Sequence, residues 1–417
     1  MINRPGYIAA IAPFIDQPLV KILAGVRRCG KSTIFEMLKE EFLRRGIPQD
    51  HIISKRYTEM DISENITARQ MYDELVEAMK GKGHCYLLLD EIQEIDGWER
   101  AVNSLLEGAD ADIYVTGSNS KLMSSEISTY LTGRYVSIPV YTLSFKEYLD
   151  FKADSALSRR ELLEEYIRFG GFPIIALSEY DEQSAYQIVN GIYHTVVSRD
   201  IVKRHRINKQ DLFDRVVKYI IENMGKTFSA NSISTFLKSE HRKVSVESIY
   251  NYLRWLEQAF IIYPCERYDL QGKSILKTQE KYYLSDVSLK YALLGYNRKM
   301  LDGAMENIVF LELKRRGYDV FIGKNDTKEI DFVATRRDEK VYVQVCVQIP
   351  MTSDREVGNL MDIRDHYPKY VVTLNEMDTG IENGIKIVHL ADFLLAEAWC
   401  ADIPLQQVVE KSSKNAA

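Results

Sequence analysis

A glycine-containing loop between an apolar segment and an amphipathic segment constrains the fold of this chain more than any other feature. Residues 19–24 (LVKILA) are apolar and rich in strand-forming side chains, and GVRRCGKST follows directly. After the loop, apolar residues recur at helical spacing up to a glycine and a proline, which predicts a helix that ends there. The order strand, loop, helix is the setting in which Gly25-x-x-x-x-Gly30-Lys31-Ser32 forms a phosphate-binding P-loop.

Each part of this loop has a chemical reason. The two glycines allow backbone conformations that turn successive N–H groups toward a phosphate, and the helix N-terminus adds the positive end of its dipole. We expect Lys31 to reach the β- and γ-phosphates of ATP, Ser32 to supply a hydroxyl to Mg²⁺, and Thr33 to belong to the same nucleotide-binding set. Arg27 and Arg28 occupy free positions of the loop, and we expect their side chains to be solvated.

A second apolar run, CYLLL, ends in two carboxylates. This is a Walker B pattern, in which Asp90 would hold Mg²⁺ through water and Glu91 would orient or deprotonate the attacking water. The next strand-like run, DIYVT, is followed by Ser118 and Asn119. A polar side chain at that strand end can position the water, and we favour Asn119 for this role, with simple turn chemistry as an equal alternative.

The remaining strand-like runs complete a sheet. Residues 52–57 and the run YVSIPV bring the number of strands to five, with helical segments between them. That alternation predicts a parallel sheet covered on both faces, with its ligand at the carboxyl ends of the strands. Arg134, just before the last strand, could act as an arginine finger on a neighbour's γ-phosphate, or it could form a structural salt bridge. Action in trans would require a homo-oligomer, for which a closed ring is one arrangement.

Five motifs carry a family resemblance. GVRRCGKST, LLLDEIQ, VTGSNS, LTGRY and FGGFP follow one another as in a prokaryotic AAA-type P-loop ATPase family related to the STAND signalling ATPases. The resemblance implies an ATPase core over residues 1–155 and a helical lid over 156–208. It also implies that the proline of a glycine-x-proline, here Gly171 and Pro173, packs on the adenine, although a plain helix-breaking turn would explain the same residues.

Residues 209–290 have the pattern of a winged helix. Three helical segments are followed by two strand-like runs, an order that often binds DNA through the third helix. The exposed face of that helix carries Glu247, Asn251 and Arg254, which is a mixed face, so packing or protein contact is an equal alternative. The short basic segment over 199–206 could contact DNA phosphates, but a solvated helix end is the favoured interpretation.

Residues 291–396 resemble the small restriction-endonuclease-like α/β fold with its PD-(D/E)xK site. Glu306 matches the helix glutamate and Asp331 the strand aspartate, whereas Gln344 and Cys346 stand where the motif has glutamate and lysine. The chemistry needs carboxylates for a metal and a lysine for charge, so we expect a degenerate site with little or no cleavage activity. An ordinary small α/β domain is the alternative.

A lysine from elsewhere could restore the missing cation only if the fold brings it there, and we considered Lys314, Lys324 and Lys340. The last residues, 397–417, are predicted to be a polar, frayed tail.

The composition excludes several protein classes. Hydrophobic residues make up 46%, charged residues 27%, and the net charge is -6, which excludes a disordered chain or a uniformly basic nucleic-acid coat protein. The five cysteines are odd in number and have no CxxC or zinc spacing, as expected in a reducing compartment. No uncharged run reaches the roughly 18 residues of a membrane helix. We therefore predict a cytoplasmic protein without a membrane partner.

Together these features predict an α/β protein that binds ATP and Mg²⁺ and hydrolyses ATP. Hydrolysis would rearrange the winged-helix and nuclease-like modules, which we expect to act on nucleic acid, for example branched DNA. The alternative is a STAND-like switch that exchanges ADP for ATP and binds a protein partner. An active metal-dependent nuclease is the least favoured function.

Overall fold

The computed structural model describes residues 3–58, 66–123, 127, 130–131, 133–207, 209–242, 244–272, 274–350 and 355–399. Two sheets organise these residues. One has five strands and is built by the N-terminal part, and the other has eight strands and is built by the C-terminal part. None of the helices within the described ranges combines the length and apolarity needed to cross a bilayer.

The N-terminal sheet is entirely parallel, in the order β2-β3-β4-β1-β5. Its strands are β1 (Val20–Ala24), β2 (Ile52–Arg56), β3 (Cys85–Asp90), β4 (Ala111–Gly117) and β5 (Tyr135–Pro139). Its helices are α1 (Pro5–Ile11), α2 (Lys31–Arg44), α3 (Ala68–Met79) and α4 (Trp98–Gly108). Every residue of β1 and β3 is buried, which explains their uninterrupted apolar runs. The predicted five-stranded parallel sheet is confirmed.

Helices form the middle of the chain. They are α5 (Phe145–Phe151), α6 (Arg159–Phe169), α7 (Pro173–Ala176) and α8 (Glu182–Val196), and α8 continues into a π-helical segment, Val197–Lys203. Capping boxes determine where α5 and α6 begin, because Ser144 and Ser158 each accept a hydrogen bond from the backbone of a glutamate three residues later. This is the segment in which we predicted a helical lid.

Three helices and a hairpin follow, in the predicted order. They are α9 (Gln210–Glu222), α10 (Ala230–Ser239), α11 (Val246–Gln258), β6 (Ile262–Asp269) and β7 (Ser274–Leu284). The hairpin is not a free wing, because β6 pairs in parallel with β8 (Asp319–Asn325) of the C-terminal sheet. The domain boundary that we predicted between residues 290 and 291 therefore divides strands that pair within one sheet.

The C-terminal sheet has the order β12-β13-β11-β10-β9-β8-β6-β7. Its other strands are β9 (Lys328–Arg336), β10 (Glu339–Val345), β11 (Lys369–Thr373), β12 (Gly380–Glu382) and β13 (Ile385–His389). The accompanying helices are α12 (Ser288–Leu294), α13 (Leu301–Arg315), α14 (Arg355–Met361) and α15 (Leu390–Leu395). Helix α13 is buried over most of its length and contacts several strands of this sheet.

The end of the described chain corrects one expectation. We predicted a frayed tail from residue 397, but Trp399 is buried and its ring stacks on Phe393 with 4.6 Å between ring centroids. Its backbone carbonyl also accepts a hydrogen bond of 2.8 Å from the Tyr370 hydroxyl. An aromatic contact and a hydrogen bond thus anchor this residue to the sheet, and the rest of the predicted tail, from residue 400, lies outside the described residues.

Candidate functional site

The lysine of the P-loop binds carbonyl oxygens of the loop's own backbone. Gly30 has a φ of 103°, a left-handed conformation that favours glycine, and a Cβ on Gly25 would lie 1.9 Å from the carbonyl oxygen of Val140. The ammonium of Lys31 is buried and donates to the carbonyl oxygens of Gly25 and Val26 at 3.0 and 3.2 Å. Both glycines are therefore required by geometry, and the lysine is held inside the loop where a phosphate would bind.

Oxygen ligands converge beside the loop. The Ser32 hydroxyl donates to the Asp90 carboxylate at 2.7 Å, and Thr116 donates to the other carboxylate oxygen of Asp90. Arg56 donates to the same carboxylate at 3.0 Å. Hydroxyl and carboxylate oxygens suit Mg²⁺, so the predicted pair fits this ion. Our sequence reasoning missed Thr116 and Arg56, although both lie at carboxyl ends of strands next to β3, which is where sheet topology collects polar side chains.

Glu91 lies in a left-handed turn directly after β3, with a φ of 55°. Its backbone N–H donates to Thr116 Oγ1 at 3.0 Å, and its carboxylate accepts from Gln93 and lies 3.4 Å from the Ser118 hydroxyl. One carboxylate oxygen lies 3.9 Å from the Lys31 ammonium. The fold therefore brings Glu91 to the P-loop and adds Gln93, which the sequence alone did not single out.

The two polar residues after β4 lie in different surroundings. Ser118 contacts the carboxylate of Glu91, as described above, whereas the buried Asn119 lines a cleft of about 330 Å³ together with Gln93 and Arg204. We had favoured Asn119 over Ser118 as the residue that positions water. That assignment stays a prediction, and Ser118 is the one in contact with the predicted base.

Arg27 is not solvated, which corrects our expectation. Its guanidinium forms two hydrogen bonds with the carboxylate of Asp200, at 2.7 and 3.0 Å, and it lies 3.5 Å from Glu94. Burial lowers the pKa of Arg27, but the hydrogen bond and the charge of Asp200 outweigh that effect and raise it. Asp200 belongs to the π-helical segment, so this ion pair ties the P-loop to the middle helices. The cations of the basic segment over 199–206, which are Arg199, Lys203, Arg204 and Arg206, are all exposed.

The glycine-x-proline turn lies against the P-loop. A Cβ on Gly30 would be 3.8 Å from Cγ of Pro173, which begins α7. The N–H of Gly171 donates to the Asp286 carboxylate at 2.8 Å, and a Cβ on Gly171 would lie 2.4 Å from the carbonyl oxygen of Leu143. The turn is therefore packed from both sides, and Pro173 is placed where it can border a nucleotide bound at the loop.

Arg4 binds the backbone of the P-loop, and no local pattern in the sequence pointed to this residue. Its buried guanidinium donates to the carbonyl oxygen of Cys29 at 2.9 Å and to both carboxylate oxygens of Glu147 at 2.7 and 3.0 Å. These contacts join α1 and α5 to the backbone of the P-loop.

Arg134 lies at the amino-terminal ends of the strands, whereas the P-loop of its own chain lies at their carboxyl ends. It precedes β5, whose first residue pairs with the first residue of β1, whereas the P-loop follows the last residue of β1. Five strand residues span roughly 16 Å. The guanidinium donates to Glu107 at 2.6 Å and to Asn103 at 2.9 Å. The role of an arginine finger stays a prediction, since these contacts are those of a structural ion pair.

A second charged cluster surrounds Lys281 of β7. The buried ammonium lies 3.0 Å from Glu329 Oε1, 3.5 Å from Glu306 Oε2 and 3.8 Å from Asp331 Oδ1. Gln344 accepts a hydrogen bond of 3.3 Å from the backbone N–H of Asp331. Three of the four positions that match the nuclease motif are thus brought together. The lysine in contact with Glu306 and Asp331 is Lys281, which was not among the three that we had considered.

The fourth matching position, Cys346, is buried, and burial raises the pKa of its thiol to about 12. Burial lowers the pKa of Lys281, but the charges of Glu306, Asp331 and Glu329 outweigh burial and raise it. Burial also raises the pKa of Glu306 and of Asp331. A raised carboxyl pKa favours the neutral acid, and the positive charge of Lys281 opposes that effect, while the raised pKa of Lys281 keeps its ammonium protonated at neutral pH.

Comparisons with known proteins agree with the N-terminal geometry. Residues 17–149 match the AAA_14 family, described as an AAA domain, and residues 160–299 match DUF8612, a domain of unknown function. The Walker-type ATPase PABY2304 of Pyrococcus abyssi has a similar structure, with a TM-score of 0.51 and 14% sequence identity over 70% of this chain and 96% of that one. This similarity concerns the fold, which is that of a P-loop ATPase.

Two relatives extend the match to most of the chain. An uncharacterized protein of Haemophilus influenzae is 36% identical over 95% of this chain and 99% of its own length. The uncharacterized protein MJ1544 of Methanocaldococcus jannaschii is 32% identical over 87% of this chain and 83% of its own. The chain therefore belongs to one family with these uncharacterized proteins, and its N-terminal domain is of the AAA P-loop ATPase type.

Proposed function

We propose that this chain binds ATP at the P-loop and hydrolyses it, with Mg²⁺ held by Ser32 and Asp90. The observation that carries the proposal is the 2.7 Å hydrogen bond between these two side chains, directly beside the buried Lys31. When bound, the ion neutralises charge on the β- and γ-phosphates. Gly25, Gly30 and the helix N-terminus would supply backbone N–H groups, and Thr33 and Pro173 would border the nucleotide.

The catalytic role falls to Glu91 in this proposal. Its position after β3, 3.9 Å from the Lys31 ammonium, lets it orient or deprotonate a water next to the γ-phosphate. Gln93 and Ser118 fix the orientation of its carboxylate, and Asn119 is a second candidate for holding the water.

Three contacts would transmit a change at the P-loop to the rest of the chain. Arg27 pairs with Asp200 of the π-helical segment, and the Gly171 turn beside the loop is bound to Asp286, which precedes α12. Arg315 of α13 donates to the carbonyl oxygen of Leu143 at 3.1 Å. We propose that hydrolysis moves the C-terminal module, residues 209–396, through these contacts. We further propose that this module acts on nucleic acid, for example branched DNA. The three-helix order and the exposed cations near Lys203 support this.

Two substitutions test the ATPase assignment. Lys31→Ala should weaken ATP binding by about 10- to 100-fold, because a charge-assisted contact is lost. Glu91→Gln should leave binding unchanged and lower turnover by at least about 100-fold. The control is Glu77→Gln, an exposed carboxylate of α3, which should change neither. Binding is measured by titration with a fluorescent ATP analogue and turnover by phosphate release. Normal turnover in Glu91→Gln would show that the base is another residue.

A mixing experiment tests Arg134. Arg134→Ala should lose turnover, and mixing it with Lys31→Ala should restore part of it, because the second variant can donate its arginine to the neighbour's ATP. Absence of any recovery would exclude action in trans. The contacts with Glu107 and Asn103 would then indicate a structural role for Arg134.

Nucleic-acid action predicts that single-stranded, duplex or branched DNA stimulates ATP turnover. The alternative function is a STAND-like switch that binds a protein partner, and it is favoured by the ion pair that ties the P-loop to the middle helices. It predicts slow turnover, no DNA stimulation, and a change of mass in light scattering between ADP and ATP. The same preparation measured with a DNA panel and by light scattering distinguishes the two.

A further inference from the structure

The cluster around Lys281 raises the question of which cation it holds. The positions that match the nuclease motif would, in a cleaving enzyme, hold a divalent metal by carboxylate oxygens at about 2.0–2.6 Å. Within the described ranges, no three histidine, cysteine, aspartate or glutamate side chains converge closely enough to hold a metal ion. With the Lys281 ammonium between them, Glu306, Glu329 and Asp331 therefore do not converge on one resident divalent metal, whereas Mg²⁺ at Ser32 and Asp90 would draw its other ligands from ATP and water.

The ammonium of Lys281 lies between the carboxylates instead. Its three distances, 3.0 Å to Glu329, 3.5 Å to Glu306 and 3.8 Å to Asp331, place it among all three groups at once. The lysine side chain is 4% exposed. A buried ammonium is stable only when carboxylates compensate it, and a group of buried carboxylates likewise needs a cation. Lysine and carboxylates thus satisfy each other without any added ion.

Protein donors complete the cluster. The Tyr283 hydroxyl donates to Glu306 at 3.1 Å, and the backbone N–H of Val345 donates to Asp331 at 2.9 Å. These hydrogen bonds hold the two carboxylates in their present positions around the ammonium.

Strand irregularities bring Lys281 to this place. Its strand, β7, is separated from β9, which carries Asp331, by two other strands. The pairing shifts register next to Cys265, the residue opposite Lys281, and again between Phe321 and Gly323 of β8. Bulges increase twist and bend a strand, and we infer that these irregularities let the Lys281 side chain reach Asp331 of β9 across the two intervening strands. The spacing of the motif does not predict this placement.

We propose that the ammonium of Lys281 is the resident cation of this cluster and takes the position that a divalent metal would need. The C-terminal module then keeps a nuclease-like arrangement folded without metal. It does not cleave phosphodiesters by metal-assisted hydrolysis, and any role it has toward nucleic acid is binding.

Terbium luminescence tests this proposal on the full-length, nucleotide-free protein. Tb³⁺ binds carboxylate sites for hard cations, and the ring of Tyr283 beside Glu306 would sensitise its emission. Lys281→Met should show emission several-fold above wild type and a thermal midpoint that rises with Mn²⁺. The matched control, Lys281→Met with Asp331→Asn, should return to the wild-type level. Any binding at Ser32 and Asp90 is common to all these variants and cancels.

Three results would overturn the proposal. The first is a wild-type terbium signal that Asp331→Asn removes. The second is Mn²⁺-dependent DNA cleavage by the wild type that Asp331→Asn abolishes. The third is a folded Lys281→Met variant, verified by circular dichroism, that gains no metal binding. If Lys281→Met does not fold, wild type against Asp331→Asn decides alone, because equal terbium signals support the proposal and a larger wild-type signal refutes it.

Discussion

The ion pair between Arg27 and Asp200 should stabilise the fold well beyond an ordinary surface pair. Two hydrogen bonds of 2.7 and 3.0 Å join the side chains, which are 13% and 4% exposed. At roughly 4 Å and an effective dielectric constant of about 20, the attraction is about 4 kcal/mol before desolvation offsets part of it. We therefore expect a net coupling of about 1.5–3 kcal/mol, the range of charge-assisted hydrogen bonds.

A double-mutant cycle measures this coupling. Arg27→Met should lower the free energy of unfolding by about 3 kcal/mol, because it leaves the Asp200 carboxylate buried without its cation. Asp200→Leu added to Arg27→Met should recover part of that loss. The control cycle is Arg69 with Asp73, whose side chains are 80% and 53% exposed and should couple by about 0.5 kcal/mol or less. Urea unfolding followed by tryptophan fluorescence supplies the four free energies of each cycle.

A coupling energy for Arg27 and Asp200 no larger than that of the control pair would show that this ion pair does not stabilise the fold beyond a surface pair. The two side chains would then be solvated in solution, as the sequence alone suggested. A large coupling with unchanged ATP affinity in Arg27→Met would keep the structural link and remove the argument that it transmits nucleotide binding.

Two further predictions concern the junction between the middle helices and the C-terminal sheet. Asp286→Asn should lower the thermal midpoint of unfolding. The carboxylate accepts hydrogen bonds from the N–H groups of Gly171 and Ser288 through its two oxygens, whereas an amide has only one oxygen that accepts. The expected loss in the free energy of unfolding is about 1–3 kcal/mol. An unchanged midpoint would show that this contact does not hold the turn. Burial, followed by the charge of Lys226, lowers the pKa of Lys290 from 10.5 to about 8. Between about pH 8 and 10.5 the unfolded chain thus binds more protons than the folded chain. The free energy of unfolding should therefore rise with pH over this range, by at most about 3 kcal/mol. Lys290→Met should abolish that rise when it is measured by urea unfolding. A slope that persists in Lys290→Met would assign it to another group.

Local pattern was enough for the centre of the N-terminal domain. The P-loop with its lysine and the carboxylate Asp90 were predicted because both motifs are local. The P-loop needs one strand, one turn and one helix, and Asp90 needs only an apolar strand that ends in a carboxylate. The five parallel strands were predictable for the same reason, since apolar runs such as that ending at Asp90 alternate with helical segments. In the C-terminal part, the helix of Glu306 and the strand of Asp331 were also recognisable from period and spacing.

Tertiary structure alone decided which distant groups meet. Asp200 lies 173 residues from Arg27, and Asp286 lies 115 residues from Gly171. No local period encodes such contacts, because a buried charge selects its partner by position in space. The hairpin of β6 and β7 follows the same rule, since pairing with β8 makes it part of a sheet where local order suggested a separate wing. Lys281 is the clearest case, because the three-dimensional arrangement of the strands, and not any spacing in the sequence, places its ammonium among three carboxylates.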